Sequence, residues 1–293
     1  MLRMEHILCP LDFSEFSHRA CGYAQSLARH YEARLTLVHV VPPVFAAYPS
    51  YVYPDMVNDI YQDLRAHAEE QLRLFASSHI REGVRVVNKV CEGAVTESIL
   101  ALAAAESADL IIMGTHGRHG FDHLLLGSVT EKVLRKARCP VLVVRAATPA
   151  SEAREDEEAV RLRKILFGTD FSPHSERALQ YALSLAEEYD AELTLLNVLD
   201  EVPPSTDLST ITADIIRQLE APIPAEAREW CTIKSRLRVG RPYQEILHYA
   251  RETGTDLVVL GVRGRNALDL ALFGSTAHRV IQSGPCPVLA VHI

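Results

Sequence analysis

The chain has 293 residues and a formal charge of −8, with Lys and Arg scattered rather than clustered. This excludes the concentrated basic face that a nucleic-acid partner requires. No run of 18 apolar residues occurs, and residues 1–6 lead into an apolar strand without a signal-peptide core, so no membrane partner and a cytoplasmic location are expected.

Residues 6–11 (HILCPL) read as a short apolar strand. Residues 15–31 follow with apolar side chains at helical spacing: Phe16, Ala20, Tyr23, Ala24, Leu27 and Ala28. Residues 34–41 are a second strand rich in β-branched residues, and the prolines and tyrosines of 42–54 predict an irregular flap. A long charged helix over 55–78, a third strand over 84–90 and a third helix over 96–105 come next. A fourth strand over 110–113, a helix over 128–136 and a last strand over 141–145 complete the run. Such alternation implies an α/β fold, with parallel strands joined by right-handed crossovers and helices on both faces. Ligands of such sheets sit beyond the carboxyl ends of the strands, at a topological switch point. Asp12, Val40 and Gly114, which end the first, second and fourth strands, converge there.

The same order then repeats. Residues 12–40 align with 170–198, with 17 of 29 positions identical, including Asp12-Phe13-Ser14 with Asp170-Phe171-Ser172. Two domains are expected, 1–146 and 163–293, each long enough to enclose a core. They are joined by a linker over 147–162 that carries SEAREDEE and has no apolar periodicity. The six cysteines (Cys9, Cys21, Cys91, Cys139, Cys231 and Cys286) never form CxxC and suggest no disulfide framework.

The most specific repeat is a glycine pattern: Gly114-x₂-Gly117-x₉-Gly127-Ser128 recurs 147 residues later as Gly261-x₂-Gly264-x₉-Gly274-Ser275. Each copy follows a strand and opens a helix, the arrangement by which α/β proteins offer backbone N–H groups to a phosphate. Gly114 and Gly117 allow a close ligand approach or a tight loop. Ser128 can cap its helix or donate to a phosphate oxygen. Asp12 can cap the first helix or accept from a ribose hydroxyl or an adenine amine. Arg118 and Arg265 are either solvated cations or arms toward a terminal phosphate.

Leu11-Asp12-Phe13-Ser14, His39-Val40, Met113-Gly-Thr-His-Gly-Arg118, Leu126-Gly-Ser-Val-Thr130 and Cys139-Pro-Val-Leu-Val-Val144 resemble the universal stress protein (UspA-like) family. The second half repeats the resemblance with Thr169-Asp-Phe-Ser172, Asn197-Val198, Gly261-Val-Arg-Gly-Arg265, Phe273-Gly-Ser-Thr276 and Cys286-Pro-Val-Leu-Ala-Val291. This resemblance implies two tandem doubly wound, Rossmann-like domains. Each would hold a five-stranded parallel sheet in order 3-2-1-4-5, paired with the other through its last strand. It also implies ATP, with Mg²⁺ carried on the phosphates. Asp12 and the backbone of Val40 would hold the adenosine, and the glycines and serine the phosphates. The expected binding set is Asp12, Val40, Met113, Gly114, Gly117, Arg118, Gly127, Ser128 and Val129 in the first half. In the second it is Asp170, Val198, Leu260, Gly261, Gly264, Arg265, Gly274, Ser275 and Thr276.

Competing chemistries find little support. There is no Gly-Lys-Ser/Thr and no GxGxxG after the first strand of either copy. His116, His119 and His123 lack duplicated partners, so no metal site is expected on protein ligands. No duplicated carboxylate beyond Asp122 and Asp269 lies in the glycine loops, so efficient catalysis is not indicated. The expected function is a stress-response regulator that binds adenine nucleotide in each half. The alternatives are an interaction module with vestigial loops and, more weakly, a slow ATPase. Pairing of the halves and an unidentified protein partner are the expected associations, and a further homodimer is left open.

Overall fold

Apolar runs such as Ile7–Cys9 and Leu110–Met113 have no polar alternation because the strands they form are covered on both faces. The computed structural model describes residues 3–43, 54–115, 126–145, 160–201, 207–262 and 274–292. The first half comprises β1 (His6–Pro10), α1 (Glu15–His30), β2 (Arg34–Val41), α2 (Pro54–His79), β3 (Arg85–Glu92), α3 (Val95–Ala105), β4 (Leu110–Gly114), α4 (Ser128–Lys136) and β5 (Val141–Val144). The second comprises β6 (Lys164–Thr169), α5 (Pro173–Glu188), β7 (Glu192–Leu199), α6 (Leu208–Glu220), the single turn α7 (Ala227–Trp230), β8 (Ile233–Val239), α8 (Pro242–Thr253), β9 (Leu257–Gly261), α9 (Ser275–Ser283) and β10 (Val288–Val291).

Among the described residues these strands form one sheet, in the order β3-β2-β1-β4-β5-β10-β9-β6-β7-β8. Each half therefore has the expected 3-2-1-4-5 order, parallel throughout. The halves meet where β5 and β10 pair antiparallel, Val143 with Val288 and Val141 with Ala290. Strand β3 runs further than its apolar pattern suggests, because it pairs residue for residue with the whole of β2, from Arg34↔Arg85 to Val41↔Glu92. The flap residues 44–53 and the linker residues 146–159 lie outside the described residues. At the far end of the expected linker, Val160 N–H donates to Ser26 Oγ at 2.8 Å, and Leu162 is buried in the core.

Because successive side chains alternate faces, the sheet carries two apolar layers, and both run through the two halves without a break. One joins Ile7, Leu35, Leu142, Leu193 and Leu289 under α1, α2 and α5. The other joins Leu8, Ile111, Val143, Val258 and Val288 under α3, α4, α8 and α9. A cavity of about 70 Å³ lies on the axis relating the halves, between Tyr23 and Tyr181, Leu27 and Leu185, and Leu142 and Leu289. Beside it, His30 Nε2 lies 2.9 Å from Glu188 Oε1, and the His30 ring stacks on Tyr189 at 4.6 Å between centroids. Burial holds the hydroxyls of the equivalent pair Tyr31 and Tyr189 far above the usual phenol range.

Val143→Pro tests the junction. Val143 is fully buried between β4 and β10, and proline removes its N–H and leaves a buried carbonyl without a partner. The expected loss is about 2–4 kcal/mol of unfolding free energy, read as a lower urea midpoint. A midpoint equal to wild type would contradict the pairing.

Candidate functional site

At the carboxyl end of β1 the chain must turn sharply into α1, and the sequence Asp-Phe-Ser builds that turn. Asp12 Oδ1 accepts from the Ser14 N–H at 3.0 Å and from its hydroxyl at 2.6 Å. Asp170 Oδ1 accepts from the Ser172 N–H at 3.1 Å and from the Ser175 hydroxyl at 2.7 Å. These are Asx turns, in which the carboxylate replaces a backbone acceptor. The helix N-caps are Ser14 and Ser172, which accept from the Ser17 and Ser175 N–H groups. Asp12 therefore does not cap the helix; it shapes the turn before it. Between aspartate and serine, Phe13 and Phe171 have φ of 60° and 59°. A non-glycine residue there costs of order 1–3 kcal/mol, and such strain concentrates at functional sites.

The neighbouring strand tips complete a cradle. Arg34 N–H donates to Glu5 O and Leu11 N–H to Val38 O, so even-numbered residues of β2 turn their peptide groups toward β1. Val40 does the same two residues beyond the last of these bonds, past the end of β1. Glu192 N–H donates to Arg163 O, which gives Val198 the same orientation. His39 Nδ1 lies 2.7 Å from Leu11 O, and Asn197 Nδ2 donates to Thr169 O at 2.9 Å. Two different side chains thus make the same strand-to-strand tie. The Phe13 ring lies against His39 at 4.8 Å. Asn197 Oδ1, buried, has no hydrogen-bond partner among the described residues.

Gly114 and Gly261 end β4 and β9 beneath the first turns of α1 and α5. A Cβ on Gly114 would stand 2.7 Å from Phe16 Cβ and 2.9 Å from Phe16 C; one on Gly261 would stand 2.7 Å from His174 C. On this side the room expected for a ligand is taken by helix backbone, and the glycines serve close packing. Met113 and Leu260, just before them, are buried in the second apolar layer.

Gly117, Arg118, Gly264 and Arg265 lie outside the described residues, as do His116, His119, His123, Asp122 and Asp269. The described residues that flank these segments are bonded to one another and to the last strands. Thr115 N–H donates to Val144 O at 3.0 Å, and Gly127 N–H to Thr115 O at 2.8 Å. In the second half Val262 N–H donates to Val291 O at 3.0 Å, and Gly274 N–H to Val262 O at 2.9 Å. Each loop is therefore tied shut at its base, with α4 and α9 starting at the knot.

Gly127 and Gly274 are the N-caps of α4 and α9, at φ −61° and −58°, and neither helix has a side-chain cap. Ser128 and Ser275 are the first helical residues and exposed, so neither serves as a cap. The helical ladders begin with Glu131 N–H to Gly127 O and His278 N–H to Gly274 O. The N–H groups of Ser128, Val129 and Thr130, and of Ser275, Thr276 and Ala277, precede those bonds and lie at the positive helix end, which suits an anion. The halves differ at one point: the Thr130 hydroxyl donates to Gly114 O at 2.8 Å, where the second half has Ala277.

Sequence reasoning missed a further pair. Gly93 and Gly240, the residues after β3 and β8, share the 147-residue offset and have φ of 124° and 144°, and they donate to Val41 O and Leu199 O. The repeated offset was the available signal. Among the described residues no group of three His, Cys, Asp or Glu is placed to hold a metal. The cysteines are free thiols, and burial pushes the Cys139 thiol up to about 11, away from nucleophilic or redox use.

A sequence model of the universal stress protein family matches residues 4–145 and again 161–292. Over 294 residues the chain is 30% identical to a universal stress protein of Mycolicibacterium smegmatis, covering 97% of this chain and 96% of that one. It is 32% identical over 140 residues to universal stress protein MJ0531 of Methanocaldococcus jannaschii, covering 47% of this chain and 81% of the relative. A solved universal stress protein from Archaeoglobus fulgidus superposes with a TM-score of 0.70 at 21% identity, over 98% of this chain and 96% of that one. One from Pseudomonas aeruginosa gives 0.67 at 21% identity, over 99% and 93%. At that identity the likeness is one of fold.

Proposed function

The chain belongs to the universal stress protein family, and we propose that it serves the stress response as a regulator that binds one adenine nucleotide in each half, ATP with Mg²⁺ carried on its phosphates. The observation that carries this reading is the pair of uncapped helix starts. Each is knotted to its neighbouring strand, and each begins with a glycine at a backbone angle open to any residue. The backbone angles at 127 and 274 do not call for glycine, and room for an anion before the helix start would account for it. The residues fit the nucleotide. The N–H groups of Ser128 and Val129, with the Ser128 hydroxyl, would hold phosphate oxygens, as would Ser275 and Thr276. The Val40 and Val198 peptide groups and the carboxylates of Asp12 and Asp170 would take the nucleoside. Bound nucleotide supplies a cluster of negative charge at the loops, by which a partner protein can distinguish filled from empty chains.

One observation favours the second reading, an interaction module with vestigial loops: Gly114 and Gly261 are accounted for by helix packing alone. Calorimetric titration with ATP and Mg²⁺, together with mass spectrometry of the denatured purified protein, decides between them. Two sites per chain are expected. One site would restrict the reading to one half, and none, with no nucleotide carried through purification, would leave the interaction module.

A further inference from the structure

We propose that the two nucleotide sites are linked, so that filling one tightens the other, through a closed ring of hydrogen bonds that crosses between the halves at Arg145 and His292. The inference rests on the nucleotide reading above. Arg145 and His292 are equivalent residues, each following the last strand of its half. Arg145 Nη1 donates to Gly284 O at 3.0 Å, at the end of α9 in the other half. His292 Nε2 lies 2.6 Å from Leu134 O, in the last turn of α4. Each half therefore grips the carboxyl end of the other half's phosphate-site helix.

The grips close a circuit. From the knot at Thr115 the path runs through Val144 to Arg145, across to Gly284, and along α9 to Gly274. It continues through Val262 and Val291 to His292, across to Leu134, and along α4 to Gly127, which bonds back to Thr115. Each crossing helix has nine residues, short enough to shift as one rod. Both cross-contacts place a donor at the negative end of a helix dipole, where it is favoured. The α9 end takes a second cation as well, since Arg251 Nη2 donates to Ser283 O at 3.0 Å. Phosphates at the start of α4 fix that helix against its knot, and the carboxyl end of the same helix fixes His292 and the second knot. The second nucleotide then meets a helix start whose remaining motion is already reduced, and its binding costs less conformational freedom.

The test uses the full chain titrated with ATP and Mg²⁺. Second-half affinity is compared between wild type, where the first half fills, and Gly127→Val, where it does not. The expected result is at least about fivefold weaker binding in Gly127→Val. In a His292→Leu or Arg145→Met background that difference should shrink to within about twofold, and His292→Gln, which keeps a donor near the same place, should restore it. Equal second-half affinity in wild type and Gly127→Val would overturn the linkage and leave two independent sites standing. A linkage that survives both ring variants would overturn the ring as its route. Absence of binding in wild type would overturn the nucleotide reading and this inference with it. Should the ring variants fold poorly, hydrogen exchange on the Gly127→Val chain decides. ATP filling the second half alone should slow exchange in α4, and unchanged exchange there refutes the proposal.

Discussion

Gly114→Ala should destabilise the protein by about 2–3 kcal/mol, and Gly261→Ala by a similar amount, without any nucleotide present. The reason is the missing Cβ. At Gly114 its place is 2.7 Å from Phe16 Cβ and 2.9–3.0 Å from the Phe16 backbone, closer than real Cβ atoms come. Backbone atoms in the first turn of a capped helix cannot swing aside as a side-chain tip can, so α1 must lift or β4 must sink. Either movement disturbs the Asx turn of Asp12 and the left-handed Phe13 together. Alanine already carries the offending atom, so Gly114→Val should exceed Gly114→Ala only by what its γ-methyls add. The readout is the denaturant midpoint of the nucleotide-free chain, at unchanged m-value. A midpoint equal to wild type for Gly114→Ala would show that the close approach is not as tight as described and return Gly114 to the role of a ligand-facing residue.

Gly127→Val should do the reverse: leave stability almost untouched and remove nucleotide from the first half. At φ −61° and ψ 141° valine meets no backbone penalty, so strain is no part of the argument. What changes is the space before Ser128 and Val129, where a branched side chain would stand between phosphate and N–H groups. Losing two hydrogen bonds to a charged group, at about 1.5–3 kcal/mol each, corresponds to at least a hundredfold weaker binding. The second half should keep its site, weakened only by the loss of linkage, and Gly274→Val should mirror the result. Calorimetric stoichiometry falling from two to one would bear this out. A fall in stability with unchanged stoichiometry would contradict it and make Gly127 a packing residue like Gly114.

These two glycines mark where the sequence is legible and where it is not. Their spacing and duplication reveal a strand, a loop and a helix start in each half, because local periodicity and turn chemistry suffice for that. Their separate purposes depend on what lies across the interior, and no local pattern records that Phe16 sits on Gly114. The Asp12 turn follows the same logic. That a polar Asp-Phe-Ser junction ends β1 is readable, whereas Ser14 as the cap and Phe13 at φ 60° depend on which polar residue takes the cap and which the Asx turn, a choice the pattern leaves open. Arg145 and His292 were legible only as equivalent positions. Their contacts join residues 139 and 158 positions apart, a distance at which periodicity is silent. The strand order came from the family resemblance, and with that order in hand the β5–β10 junction was legible because apolar final strands at a sheet edge need a partner.

The antiparallel seam between β5 and β10 also removes a dependence on concentration. Were the halves separate chains, their association would follow mass action and fail on dilution. Joined in one chain, each half meets the other at an effective concentration in the millimolar range, whatever the amount of protein in the cell. Occupancy of the seam is then a constant of the molecule rather than a variable of expression. The same tether permits one hazard, exchange of halves between two chains at high concentration, since the seam does not record which chain supplied each strand. The apolar layers that continue through the seam on both faces would close equally well on either partner, so it is the tether alone that favours the internal one.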